Sequence, residues 1–249
     1  MHMKLCAELD GFIDLLEVHK RSPERFPFLL QSMAAHPQSG RYDLLFGFPG
    51  TRITGADGFD ALDQAWRELR CEDHDDLPFL GGWFLLIGYE AAQALEPRLQ
   101  LPASPSELPD FLAVRCTAAI ICDRERGRIH LVAEQDPAQL DALRQAVAEA
   151  SAAPAAAVPG ASLLRDLVED PPEQFIAGVE RIHDYLRAGD CFQVNLSRAW
   201  HGRLGAGAGY EAVYRRLRLT NPAPFAGLAR IGELDLSVLS SSPERLVQV

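Results

Sequence analysis

No stretch of this sequence approaches the roughly 18 uncharged apolar residues that a membrane-spanning helix needs, and its apolar run Trp83–Ile87 is only strand-sized. The opening Met1-His2-Met3-Lys4-Leu5-Cys6-Ala7-Glu8 has no basic region followed by a long apolar one, so it is not a secretory signal. Basic charge is also scarce. Lys and Arg number 24 against 35 Asp and Glu, for a net charge of -11. Binding nucleic acid draws on a basic face that releases counterions, so that partner is excluded. An anionic small ligand is not excluded, because fields are screened over about 8 Å at physiological salt. It would need a local cation or a helix N-terminus to receive it.

Cysteine is sparse and unpatterned. Cys6, Cys71, Cys116, Cys122 and Cys191 make an odd count with no Cys-x-x-Cys. This predicts free thiols in a reducing, cytoplasmic setting, each a small buried hydrophobe. The seven histidines show no ligand spacing, so no metal site is expected on them. The nucleophile elbow, the P-loop, the dinucleotide fingerprint and the zincin motif are all missing. Gly205-Ala206-Gly207-Ala208-Gly209 lacks the sixth-position glycine of the dinucleotide fingerprint and reads as a flexible loop. Asp73, Asp75 and Asp76 read as a solvated loop.

What is present is ordinary globular composition, 47% hydrophobic and 24% charged over 249 residues. Asp43–Phe48 reads as a strand ending at the Pro49-Gly50 turn. Asp60–Arg70 has helical spacing, with Leu62, Ala65, Trp66 and Leu69 on one side. Gly81–Tyr89 reads as a buried strand bracketed by glycines. Val114–Cys122 and Arg128–Ala133 read as a hairpin with a charged tip at 123–127. Gln139–Ala150 reads as a helix. Residues 151–164 are then a small-residue, proline-punctuated linker, dividing the chain into 1–150 and 165–249.

After the linker the signals sharpen. Asp170-Pro171-Pro172-Glu173 predicts a helix start with a capping aspartate. Phe175, Val179, Ile182 and Leu186 form its apolar stripe, and Gly189 its stop. Phe192, Val194 and Leu196 alternate with Gln193, Asn195 and Ser197, which predicts a strand with one apolar face. The opposite face is polar but uncharged, as suits either a half-exposed strand or a buried polar cavity. Leu234–Val249 reads as a strand, a Ser-Pro turn and the beginning of a second strand. An apolar edge left there without a partner points to truncation.

Several segments, in order and at suitable spacing, resemble the aminodeoxychorismate synthase component I family. They are Gly189–Ser197 with the preceding Arg181–Leu186, then Asn221-Pro222-Ala223-Pro224-Phe225, then Leu239–Arg245. Upstream, Leu29–Ser32, His36-Pro37, Arg41-Tyr42-Asp43 and Asp76–Gly82 also fit. The sister family, anthranilate synthase component I, shares the architecture. Val194-Asn195-Leu196 and Asp76-Leu77-Pro78-Phe79 favour the aminodeoxychorismate branch.

The resemblance implies an α/β fold of antiparallel sheets packed face to face with helices outside, incomplete at its C-terminus. Residues 165–249 would begin a chorismate-binding domain. It implies amination of chorismate to 4-amino-4-deoxychorismate, on the route to 4-aminobenzoate and folate, with ammonia from a glutaminase subunit. Glu244 matches the family's catalytic glutamate, a general acid for the departing hydroxyl. Gln193, Asn195 and Ser242 would line the substrate cavity. Leu30, Ser32, Pro224 and Phe225 match a pocket that holds tryptophan in the superfamily. Gln31 stands where the anthranilate branch has glutamate, and the charge that would meet a ligand's ammonium group is lost with it. The branch-defining lysine motif and the Mg2+ ligands belong to a downstream region not in this sequence, so the 249 residues alone are expected to be inactive. The alternatives are anthranilate synthase component I and a non-catalytic module that binds tryptophan or a partner subunit.

Overall fold

A computed structural model describes residues 4–33, 40–70, 76–152, 163–245 and 247. Cys71, His36, Pro37, Asp73, Asp75, most of the expected linker and the expected second strand after Arg245 lie outside them. The chain forms two compact units, Met1–Ala156 with Leu217–Val249, and Ala157–Arg216. The expected division into 1–150 and 165–249 therefore differs from the packing, because the segment from Leu217 onward joins the first unit.

The first unit is built on β1 (Leu5–Asp10), α1 (Leu15–Arg21), β2 (Phe28–Gln31), β3 (Tyr42–Thr54), α2 (Gly58–Leu69), β4 (Gly82–Ile87), α3 (Ala92–Leu95), β5 (Phe111–Asp123), β6 (Arg128–Ala133) and α4 (Pro137–Ser151). Within the second unit lie β7 (Leu164–Glu169), α5 (Pro172–Ala188) and β8 (Trp200–Leu204). α6 (Tyr210–Thr220) carries the boundary, and β9 (Phe225–Ile231) and β10 (Leu236–Ser242) return to the first unit. The fold is mixed α/β with antiparallel sheets, as the family resemblance implies.

The large sheet runs β1-β6-β5-β3-β2-β9-β10, with β4 also on β5. β5 is its centre. β3 pairs along one edge from Leu112 to Asp123, while β6 and β4 share the other. A strand covered on both faces needs no polar alternation, and β5 is nearly all buried. The β5–β6 hairpin closes with the charged tip at 123–127 that the sequence predicts.

Two-residue periodicity gives the sheet two distinct faces. On one, Leu45, Leu29, Ile120 and Leu131 form a fully buried row across neighbouring strands. Cys122 shares their parity and its thiol donates to the Ile13 carbonyl before α1, so α1 lies on this side. α1 begins at Asp14, whose carboxylate accepts the Leu16 N–H at 3.1 Å. α4 begins the same way at Asp136, with Pro137 at its first position. On the other face Phe28, Phe46, Phe84, Ala229 and Ile231 form a second core, with the Phe28 and Phe84 rings stacked 3.9 Å apart.

Five expectations need correction. The strand read as buried over Gly81–Tyr89 is β4 at Gly82–Ile87, where Phe84 is buried but Leu85 and Ile87 are exposed, and Tyr89 opens a short 3-10 turn. β3 does not stop at Pro49 but continues to Thr54 through an irregularity between Pro49 and Arg52. A bulge tolerates the missing proline N–H. Asp170 does not cap α5; its carboxylate accepts the Ala199 N–H at 3.0 Å instead, and Pro171 occupies the cap position. Residues 191–199 form no strand, and Phe192 is 95% exposed. Alternation supplies an amphipathic face but no hydrogen-bonding neighbour, and in this unit β7 pairs with β8. Finally, Cys6 is exposed, whereas Cys116 and Cys122 are buried. The stop at Gly189 stands: it takes the left-handed conformation at φ 80°, with its N–H on the Leu186 carbonyl.

Candidate functional site

On the face away from α1, register aligns Leu44, Leu30, Gly227 and Ser240 in one row across β3, β2, β9 and β10. Phe46, Phe28, Ala229 and Val238 make the next row. A β-carbon on Gly227 would sit 3.4 Å from the Leu30 Cδ2, so the glycine leaves a hollow beside Leu30. Over these rows lies a cavity of about 630 Å³. That size is typical of small-molecule pockets. Phe84 and Leu86 of β4, Pro78 and Tyr42 add apolar wall, and Arg41 and Arg245 bring charge.

Leu30, Ser32, Pro224 and Phe225 all line this cavity. They come from β2 and its exit and from the Asn-Pro-Ala-Pro turn into β9, which β2–β9 pairing brings side by side. Tyr42, Leu44, Gly227, Val238 and Arg245 were not singled out for this pocket. Of these, Tyr42 and Arg245 lie in segments that carry the family resemblance, and Gly227 has a signal of its own: a glycine inside an apolar strand marks a close approach or a hollow.

A polar network supports β2 from behind. Asp43 is fully buried, and its carboxylate accepts from Gln31 Nε2 at 3.1 Å, Ser32 N at 3.2 Å, Arg124 Nε at 3.1 Å and Arg124 Nη2 at 2.6 Å. Gln31 Oε1 accepts from Arg218 Nη1 at 3.0 Å, so both ends of its amide are engaged. Arg218 also forks onto Asp14, the cap of α1, with Nη1–Oδ1 at 2.9 Å and a second bond from Nη2. The chain Asp14–Arg218–Gln31–Asp43–Arg124 ties Arg218 to the start of α1 and to the end of β2.

Arg41 at the cavity mouth donates to Asp123 through Nη2 at 2.7 Å and Nε at 3.1 Å, and lies 4.6 Å from the Tyr42 ring centroid. The Asp123 hydrogen bond chiefly raises the Arg41 pKa. Burial pushes Asp123 upward, but the Arg41 bond, the Arg126 and Glu125 N–H groups and the Arg41 charge together hold it below the ordinary carboxylate range. Burial lifts the Tyr42 phenol above its usual value, with Arg41 opposing, so it stays neutral near pH 7. Arg245 differs from Arg41. It stacks 5.3 Å from the Phe225 ring centroid and has no ion pair among the described residues.

The other site residues fall elsewhere. Ser242 ends β10 and its hydroxyl donates to the Glu244 carbonyl at 3.0 Å, setting the turn that carries Glu244 into solvent. Neither Ser242 nor Glu244 lines the cavity. Gln193 and Asn195 are exposed in the second unit. No group of three or more His, Cys, Asp or Glu is placed to hold a metal among the described residues. No described helix is long and apolar enough to cross a membrane.

Comparison with known proteins adds the family. The model of the chorismate binding enzyme family matches residues 30–249. Anthranilate synthase component 1 of Thermus thermophilus is 34% identical over 215 residues, covering 83% of this chain and 45% of that protein. Aminodeoxychorismate synthase component 1 of Klebsiella aerogenes is 35% identical over 253 residues, covering 92% of this chain and 53% of that protein. The crystal structure of anthranilate synthase component I from Streptococcus pneumoniae superposes with a TM-score of 0.66 at 25% identity, covering 85% of this chain and 52% of that one. The chain thus spans about half the length of the curated relatives it matches.

Proposed function

The chain belongs to the chorismate binding enzyme family, and from that premise we propose that the protein carrying it replaces the 4-hydroxyl of chorismate with an amino group, giving 4-amino-4-deoxychorismate. While anthranilate synthase components match over as much of the chain, an aminodeoxychorismate synthase component similar across 92% of it supports this branch. The Asp76-Leu77-Pro78-Phe79 and Val194-Asn195-Leu196 segments point the same way. Hydroxide is a poor leaving group and needs a proton donor. Glu244, held at the end of β10 by the Ser242 turn, takes that role in this reading. A general acid of this kind contributes about 10²–10⁴-fold. Ammonia comes from a separate glutaminase subunit, as the designation of the relatives as component 1 suggests.

The second reading is anthranilate synthesis. It is supported by the Thermus relative and by the Streptococcus structure. Both readings leave the cavity lined by Leu30, Ser32, Pro224 and Phe225 as a separate small-molecule pocket, with tryptophan as the first ligand to try.

Reading the source gene past the Val249 codon separates the possibilities. A lysine in a Pro-Ile-Lys-Gly-Thr type motif supports amination, and alanine at that lysine supports anthranilate synthesis. A stop codon directly after Val249 would remove the catalytic reading from this polypeptide and leave a binding role.

A further inference from the structure

Only the backbone of Glu244 is held. Its N–H donates to Ser242 Oγ at 3.4 Å, and its carbonyl accepts from the same hydroxyl at 3.0 Å. No hydrogen bond or ion pair holds its carboxylate among the described residues. Where that carboxyl group sits therefore depends on where the short turn carrying it sits.

Two contacts, one on each side of the turn, fix it to a single neighbouring segment. Before it, Ser241 Oγ donates to the Asn221 carbonyl at 2.5 Å. After it, the Arg245 guanidinium carbon lies 5.3 Å from the Phe225 ring centroid. Asn221 and Phe225 are the two ends of Asn221-Pro222-Ala223-Pro224-Phe225, and register places Ser242 opposite Phe225. This segment has little freedom of its own. Its two prolines fix φ at about −65°. The Asn221 N–H donates to the Leu217 carbonyl at 2.8 Å, and the Ala223 carbonyl accepts from the Met33 N–H at 2.9 Å. Ala223 itself is buried. A stiff segment anchored in the fold thus grips the Glu244 turn from both ends.

We propose that Arg245 is a positioning residue for Glu244: its stack on Phe225, with the Ser241–Asn221 bond on the other side, holds the turn that presents the carboxyl group. The inference rests on the reading of Glu244 as the general acid. Arg245 is exposed, and a cation over an aromatic face at such a site shifts an equilibrium by only about two- to fivefold. Misplacing a reacting group by about 1 Å costs about 10²-fold. A surface contact one residue from the acid therefore weighs more on rate than on stability.

Steady-state kinetics of the complete enzyme on chorismate and ammonium tests this, with kcat and KM read separately. Arg245→Gln is expected to lower kcat by about tenfold while KM for chorismate stays within about twofold, with the melting temperature unchanged. Phe225→Leu removes the ring and keeps apolar bulk. It is expected to give the same loss of kcat, and the two substitutions together no more than either alone. In a Glu244→Gln background Arg245→Gln is expected to cost nothing further, because the acid it positions is gone. General damage to the fold would carry through into that background. A kcat loss under about threefold, a loss that falls on KM instead, or one that persists in the Glu244→Gln background would overturn the positioning role and leave Glu244 as the acid. Unequal or additive losses for Phe225→Leu and Arg245→Gln would overturn the stack as its means. A Glu244→Gln enzyme that keeps more than about a tenth of its kcat would overturn the general-acid reading itself.

Discussion

Replacing Asp43 with asparagine keeps the size of the side chain and removes its charge. Each Asp43 oxygen accepts two hydrogen bonds: Oδ1 from Ser32 N and Arg124 Nε, Oδ2 from Gln31 Nε2 and Arg124 Nη2. Asparagine can serve only one of these pairs, because its NH2 faces donors on the other side. The variant therefore loses two acceptor bonds and leaves Arg124 without its counter-charge. Breaking a fully buried pair in this way costs about 3–5 kcal/mol. Arg124 is about a third exposed, so water recovers part of the loss, and about 2–4 kcal/mol remains. For a domain of this size each kcal/mol moves the Tm by about 2–4 °C, so Asp43→Asn is expected to melt about 4–16 °C lower by circular dichroism or calorimetry. A double-mutant cycle with Arg124→Gln localises the effect: the second substitution should add little once the first is made. A Tm within about 1 °C of the unaltered protein, set against that expected range, would refute the reasoning. Fully additive losses would show that Asp43 and Arg124 act independently.

Three further outcomes follow from the same geometry. Glu244→Gln should lower kcat of the complete enzyme by about 10²–10⁴-fold and leave its Tm unchanged, since Glu244 is exposed and its side chain makes no bond in the turn. A loss below tenfold would remove Glu244 from the acid role. Gly227→Val places a β-branched side chain, which strands accept, into the hollow beside Leu30; the chain should stay folded by circular dichroism while calorimetry shows indole ligands weakened tenfold or more, and unchanged affinity would move the ligand away from that row. Burial pushes the Cys116 and Cys122 thiols from 9.0 up to about 12, so the unfolded chain releases those protons first and stability falls as pH rises from about 9 towards 12. Urea midpoints measured at pH 8 and pH 10 check the sign: a midpoint that does not fall would contradict it, and a Cys116→Ala, Cys122→Ala double variant should show a shallower fall.

Features written in local sequence were legible. The β5–β6 hairpin, α4 and the Gly189 stop depend on residues within a few positions of one another. Features that depend on a distant neighbour were not. The amphipathic run at 192–197 resembles a strand, but what decides strand formation is a partner edge, and alternation says nothing about that. Arg218 reaches Asp14 across 204 positions, and no motif announces a pair so separated. The cavity was half legible: the resemblance picked out Leu30, Ser32, Pro224 and Phe225, whereas the row through Leu44, Gly227 and Ser240 emerges only from the register of four strands drawn from both ends of the chain. Gln31 shows the limit of reading a substitution alone. The loss of a charge was visible in sequence, but its role as a bridge between Arg218 and Asp43 was not.

The most direct test is product analysis. The complete protein that contains this chain, supplied with chorismate, Mg2+ and ammonium or its glutaminase partner with glutamine, should consume chorismate and accumulate 4-amino-4-deoxychorismate by liquid chromatography and mass spectrometry. No anthranilate fluorescence should appear. Anthranilate as the product would contradict the amination reading in favour of the sister reaction, and unconsumed chorismate would contradict the enzymatic account altogether.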